Sequence, residues 1–293
     1  MDLKAYLAAR QKRVDRALDR YLPGEKTRPA TIHRAMRYSL FAGGKRLRPI
    51  LCLAAAEACG GRSNEAMPLA CAMECIHTYS LVHDDLPSMD NDDFRRGRPT
   101  NHKVFGEGIA VLAGDALLTR AFEIVARSKP GGRYPMATLL REVAVAAGST
   151  KLIAGQVADL EAEGRKVAPA DLRYIHENKT AAILATSVRL GAMSANADPS
   201  TLRAITNFGR ALGLAFQIID DILDVTQTTE KLGKSAGKDV AAHKATYPAV
   251  IGLERSRAEA RRLTTAAQRA LAIFERKGEP LREIANYLLA REY

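Results

Sequence analysis

Along nearly the whole chain, apolar residues recur three and four positions apart, and no run alternates apolar with polar residues as a half-buried strand would. That spacing returns side chains to one face of a helix with about 3.6 residues per turn. The pattern breaks where helix-ending residues stand: Pro23-Gly24, Gly43-Gly44, Gly60-Gly61, Pro130-Gly131-Gly132 and Asp198-Pro199. Helices are predicted over about 3–21, 30–42, 46–59, 65–86, 108–127, 134–162, 169–177, 179–194, 199–225, 245–276 and 280–291. Alanine and leucine dominate and tryptophan is absent, which suits helix. The expectation is an all-α fold, one domain over residues 1–293, built as a bundle of long central helices around a cavity.

Two charged stretches interrupt the helical pattern, 84–107 and 226–248, and each follows an aspartate cluster at the end of an apolar helix. Asp220, Asp221 and Asp224 close the run FGRALGLAFQIIDDILD. On a helix they fall at about 0°, 100° and 40°, on one face. Three like charges within a turn repel one another and oppose the negative end of the helix dipole. Cations would relieve that cost, and hard oxygen donors of this kind suit Mg²⁺ that keeps waters and also binds phosphate. Taken alone, an exposed acidic helix end explains this triplet as well.

The first cluster, Asp84, Asp85 and Asp90, is less regular. On a continuous helix Asp90 would sit about 240° from Asp84. Pro87 lacks an N–H and turns the preceding residue away from helical geometry, so a bend there would bring Asp90 back toward Asp84. Two carboxylate groups in one helical chain suggest two walls gripping one set of metal ions.

Basic residues cluster near both: Lys45, Arg46 and Arg48 in GGKRLRP, Arg95, Arg96 and Arg98 in DFRRGRP, then Lys179, Lys234, Lys238 and Lys244. The net charge of +11 favours an anionic partner without choosing among nucleic acid, membrane surface and phosphorylated metabolite. Acidic triplets would repel a nucleic-acid backbone, so the juxtaposition favours metal–diphosphate chemistry and no nucleic acid. No stretch reaches the roughly 18 apolar residues of a membrane span. The N-terminal segment has no secretory pattern, and the chain reads as cytoplasmic. Cys52, Cys59, Cys71 and Cys75 lie in apolar helical patterns without zinc-finger spacing and read as buried thiols.

These residues carry a family resemblance. GGKRLRP, ECIHTYSLVHDDLPSMDNDDFRRGRPTNHKVFGE, LAGDALL, Lys179-Thr180, FQIIDDILD and GKSAGKD…KATYP resemble, in order, the motifs of trans-prenyl diphosphate synthases. The likeness runs from about Thr31 to Pro248 and is closest to bacterial farnesyl and geranylgeranyl diphosphate synthases. It implies condensation of isopentenyl diphosphate with an allylic diphosphate, dimethylallyl or geranyl, with three Mg²⁺ ions and a homodimer. Asp84, Asp85, Asp90 and Asp220 would hold the ions, with Asp221 and Asp224 supporting. Arg95, Lys179, Lys234 and Lys238 would bind the allylic diphosphate. Lys45, Arg48, His77 and Arg96 would bind isopentenyl diphosphate, and Thr180 and Gln217 would line the reacting centre. His83 reads as core packing. Tyr79 and Ser80 stand about 6–8 Å before Asp84 along the helix and would bound the growing tail. An aromatic at Tyr79 suggests a fifteen-carbon product, whereas NHKVFGE also resembles twenty-carbon enzymes. A non-catalytic partner subunit of the same fold would be expected to lose one aspartate cluster, and this chain keeps both.

Overall fold

The computed structural model describes residues 1–130, 132–226 and 245–289. Helices α1 (Leu3–Tyr21), α2 (Ala30–Leu40), α3 (Leu47–Ala58) and α4 (Ser63–Asp84) come first. A two-residue antiparallel hairpin, β1 (Phe94–Arg95) and β2 (Arg98–Pro99), precedes α5 (Asn101–Phe105), α6 (Glu107–Val125), α7 (Met136–Ala147) and α8 (Leu152–Ala162). Then α9 (Pro169–His176) runs through a π-turn (Glu177–Ala181) into α10 (Ala182–Ser194). The long α11 (Pro199–Thr226) follows, and after it α12 (Tyr247–Ile251), α13 (Leu253–Ala270), a 3₁₀ segment (Ala272–Gly278) and α14 (Glu279–Leu289).

Helices α3, α4 and α10 are apolar nearly all round, the signature of a buried helix. Helix α10 packs between α3 and α11, while α4 packs against α3 and α6. Gly191 permits a close approach: a Cβ there would lie 2.0 Å from the Cys52 carbonyl oxygen of α3. Helix α11 opens on Asp198, whose carboxylate accepts from the Ser200 and Thr201 amides at 2.8 and 3.1 Å, with Pro199 at the first helical position. One apolar cluster joins α1 to α4 with α6 and α7; a second joins α3, α10, α11, α13 and α14. The four cysteines are free thiols. Among the described residues no helix is long and apolar enough to cross a membrane.

Several expected boundaries moved. The helix expected over 134–162 is two, because the chain turns extended at Gly148 and the following Ser149-Thr150 do not continue α7. That over 245–276 is three pieces, broken where Gly252 takes φ +87° and again before the 3₁₀ segment. The break expected at residue 178 is a π-turn that keeps the helix running. The hairpin and α5 inside the charged stretch 84–107 were not foreseen; two-residue strands leave no alternation to read.

Candidate active site

The first wall is the C-terminal end of α4. Asp84 is its last residue, and the chain then doubles back around Pro87. The Asp90 amide donates to the Asp84 carbonyl at 2.8 Å, Asn91 to Leu86 at 3.1 Å and Asp92 to Asp85 at 3.2 Å. This is the bend the sequence required, although the helix stops two residues before the expected Leu86. Asp85 is buried and gripped by Arg95, whose Nε lies 2.7 and 2.9 Å from its two oxygens and Nη2 2.6 Å from one of them. Burial raises the Asp85 pKa even against that arginine. Asp85 and Arg95, assigned from sequence to different ligands, here hold each other.

The second wall is the last two turns of α11, and its three aspartates have different surroundings. Asp221 is a strut. Its Oδ2 accepts from the Tyr247 amide at 2.9 Å and lies 2.9 Å from His176 Nε2, while Oδ1 accepts from Gln217 Nε2 at 3.2 Å. The His176 ring stacks on Tyr247, centroids 5.3 Å apart. Asp224 is buried, and neither of its oxygens has a hydrogen-bond partner among the described residues. Asp220 is half-buried, and its charge acts on Arg48.

Between the walls lies a positive basin. Burial, with Arg48, Arg96, Arg95 and Arg46 around it, holds the His77 pKa well below its ordinary 6.5. Arg48 is pushed down to about 10 by burial, with Arg96 adding to this while Glu74 and Asp220 oppose it. Its buried Nε has no partner among the described residues. Arg96 follows in the tight turn of the hairpin with φ +54° and donates to the Gly43 carbonyl. Lys45 is exposed, its Nζ 5.8 Å from the centre of the Tyr287 ring. Arg46 turns inward instead, giving Nη1 to Glu74 and Nε to Asp15 at 2.8 Å each, and Nη2 to the Leu40 carbonyl at 2.7 Å.

The π-turn carries Lys179 and Thr180. A turn of this kind widens the helix and frees a carbonyl, a common device at functional sites. Gly155 of α8 allows the contact, since a Cβ there would lie 2.3 Å from the Lys179 nitrogen. Lys179 Nζ meets Asp159 Oδ2 at 2.6 Å, and Thr180 Oγ1 donates to Gln217 Oε1 at 3.0 Å. Thr180, Gln217, Asp221, His176 and Tyr247 thus form one hydrogen-bonded chain. The sequence reading missed Asp159, His176 and Tyr247. The signal for Asp159 was there: Gln156 and Asp159 stand one turn apart in α8, whose one other polar residue is Glu161.

Tyr79 is buried, its hydroxyl 3.4 Å from the Ala147 carbonyl at the end of α7, its ring edge-on to His83. His83 in turn lies 2.9 Å from the Val111 carbonyl of α6. The Ser80 hydroxyl folds back onto the His77 carbonyl at 2.9 Å. Lys234, Lys238 and Lys244 lie outside the described residues.

Among the described residues no three Asp, Glu, His or Cys side chains converge tightly enough to form a metal site by themselves. Mg²⁺ keeps several waters and completes its shell with substrate phosphate oxygens, so it needs only one or two carboxylates from each wall. The Asp224 carboxylate, one turn from Asp220 and without a hydrogen-bond partner among the described residues, fits such an ion: a buried, unpaired charge is costly until a cation approaches.

A helical bundle with two aspartate-bearing helix ends around a basin of arginines is the architecture of an enzyme that binds diphosphates. The match of residues 29–279 to the polyprenyl synthetase family model makes the assignment specific. The chain is 50% identical to a chloroplastic geranylgeranyl pyrophosphate synthase of Catharanthus roseus, over 99% of this chain and 82% of that protein. It is 49% identical to a dimethylallyltranstransferase of Fischerella ambigua, over 100% and 84%. The solved structure of an FPP/GFPP synthase from Zymomonas mobilis superposes with TM-score 0.87 at 35% identity, covering 98% of this chain and 99% of that one. The chain belongs to the polyprenyl synthetase family and is a trans-prenyltransferase that joins isopentenyl diphosphate to an allylic diphosphate. The family works with Mg²⁺.

Proposed function

We propose that the protein makes farnesyl diphosphate, as one domain and as a homodimer in the cytoplasm. The carrying observation is Tyr79, buried five residues before Asp84 and reaching across to the end of α7. Five residues are about 7.5 Å of helix. A tail growing from the aspartates along α4 meets that ring early. Ser80, its hydroxyl folded onto its own helix, leaves its side of the path open. A twenty-carbon product is the second reading, favoured by the geranylgeranyl names of relatives half identical over nearly the whole chain.

In this reading Asp84, Asp85, Asp90 and Asp220 hold Mg²⁺, three ions in all, and Asp224 supplies the further carboxylate. Asp85 releases Arg95 as the allylic diphosphate enters. When bound, the ions supply positive charge that stabilises the departing diphosphate. Arg95, Lys179, Lys234 and Lys238 add fixed positive charge to the same diphosphate, arginine as a fork and lysine as a point. Lys45, Arg48, His77 and Arg96 orient isopentenyl diphosphate. Thr180 and Gln217, already joined at 3.0 Å, present oxygen dipoles to the allylic cation, and neither is strongly nucleophilic. Asp221 fixes Gln217 from behind.

The test is product length. Incubated with Mg²⁺, isopentenyl diphosphate and dimethylallyl diphosphate, the protein is expected to stop at fifteen carbons. Tyr79→Ala is expected to move most of the product to twenty carbons or more. A wild-type product of twenty carbons would overturn Tyr79 as the floor; no condensation with any allylic primer would overturn the chemistry.

His77 supplies a second expectation. In the free protein its pKa lies well below 6.5 through burial and the surrounding arginines. The negative charge of isopentenyl diphosphate beside it favours the imidazolium, so the pKa rises on binding. Binding therefore takes up a proton between the depressed free value and the bound one. The diphosphate is expected to bind more tightly as pH falls through that window. Calorimetry in two buffers of different protonation enthalpy should detect the uptake. His77→Gln should abolish it, and an unchanged uptake would take His77 out of the binding site.

A further inference from the structure

On the outer side of the π-turn lies a cavity of about 780 Å³, a volume typical of small-molecule sites. It is walled by α7, the π-turn and α10, α11 and α13, and none of the aspartates of either cluster lines it. Six cationic side chains do, Arg141, Lys151, Arg173, Arg189, Arg210 and Arg262, against the two carboxylates of Glu142 and Glu177. Three of the six are paired. Arg189 grips Glu142 at 2.7 and 2.8 Å, Arg173 meets Glu177 at 2.7 Å, and Arg262 meets Glu259 at 2.7 Å. Among the described residues the Lys151 ammonium donates only to a neutral acceptor, Asn178 Oδ1, at 3.0 Å. Arg141 and Arg210 are exposed and make no ion pair among the described residues.

Along the floor, Val145, Ala182, Ala185, Ala211 and Leu214 form an apolar strip between these cations. A simple inorganic anion would leave that strip in water, and a neutral lipid would leave the guanidinium groups unanswered. A phosphate ester with an apolar chain answers both, with Arg141, Arg210 and Lys151 at its head. The groove shares the π-turn with the active site. Glu177 and Ala181 line it, while Lys179 and Thr180 of the same turn engage Asp159 and Gln217.

We propose that this groove is a second ligand site, separate from the aspartate clusters, that binds a small amphipathic anion of the alkyl-phosphate class. The absence of tryptophan from the chain makes the test direct. Asn207 lines the groove and is exposed, so Asn207→Trp places a single tryptophan there. Octyl phosphate, which has no allylic double bond and is no substrate, serves as the probe. A saturable change in tryptophan emission is expected, and inorganic phosphate should bind at least about tenfold more weakly. Adding Arg141→Ala and Arg210→Ala should weaken octyl phosphate by about tenfold or more while leaving turnover and melting temperature unchanged. No saturable change would overturn the proposal. So would an affinity untouched by removing both arginines, or inorganic phosphate binding as well as the ester.

Discussion

Asp224→Asn is expected to raise the melting temperature of the metal-free protein and to lower its turnover. The Asp224 carboxylate sits in the last turns of α11, almost fully buried, and its oxygens have no hydrogen-bond partner among the described residues. Asp220 stands one turn before it and Asp221 three residues before it, at the negative end of the helix dipole. A buried ion without a partner costs several kcal/mol, and an amide of the same shape costs far less. The variant should therefore gain about 1–2 kcal/mol, a rise of a few degrees for a chain of this size. The sign reverses when Mg²⁺ and a non-reactive diphosphate are added. Ligands that bind only the folded state stabilise it in proportion to their affinity, so the parent should gain and the variant gain little. Loss of one charge from the cluster that neutralises the departing diphosphate should lower kcat by about a hundredfold to a thousandfold. Scanning calorimetry with and without the ions, beside steady-state kinetics, measures both halves. A variant less stable than its parent without metal would overturn the reading of Asp224 as a carboxylate that costs stability until a cation binds.

Such opposed effects explain why the aspartates were visible in the sequence. Three like charges within one turn, at the negative end of the helix dipole, contradict what a stable helix would choose. The bend of the first cluster was legible for a related reason: only a turn at Pro87 reconciles Asp84 with Asp90, and the Asp90–Asp84 backbone hydrogen bond closes that turn. What could not be read depends on partners distant in sequence. Nothing local distinguishes Asp221, a strut for Tyr247 and His176, from Asp220 beside it. Arg46 and Arg48 are two residues apart, yet one faces inward to Glu74 and the other has an Nε without a partner among the described residues. At residue 178 the sequence marked an interruption but not its form, a π-turn packed closely against Gly155 of another helix. Periodicity finds faces; it does not find which neighbour a polar side chain on that face will meet.

Glu74→Leu is expected to destabilise the protein by about 3–5 kcal/mol, because it leaves the Arg46 guanidinium buried with half its compensation gone. Glu74 and Arg46 are each nearly inaccessible, 2% and 3% exposed, and their contact is 2.8 Å. The remaining partners are the Leu40 carbonyl and Asp15, whose side chain is 37% exposed and therefore screened. Arg46 also has φ +50°, a conformation an arginine adopts only where its surroundings over-determine it. The three contacts of its side chain supply that constraint and so fix the turn from Gly43 to Leu47. Loss of the turn's geometry should reach function, since Lys45 and Arg48 flank Arg46. The KM for isopentenyl diphosphate is expected to rise several-fold in Glu74→Leu even at temperatures where the variant is folded. Glu74→Gln keeps a hydrogen-bond acceptor and should lose less. The decisive comparison is the double variant Arg46→Met with Glu74→Leu, measured by urea denaturation. A buried charge left alone costs more than no charge at all, so the double variant should be more stable than Glu74→Leu although it lacks more contacts. Equal loss in the two would show that packing around Glu74, and not the stranded guanidinium, sets the cost.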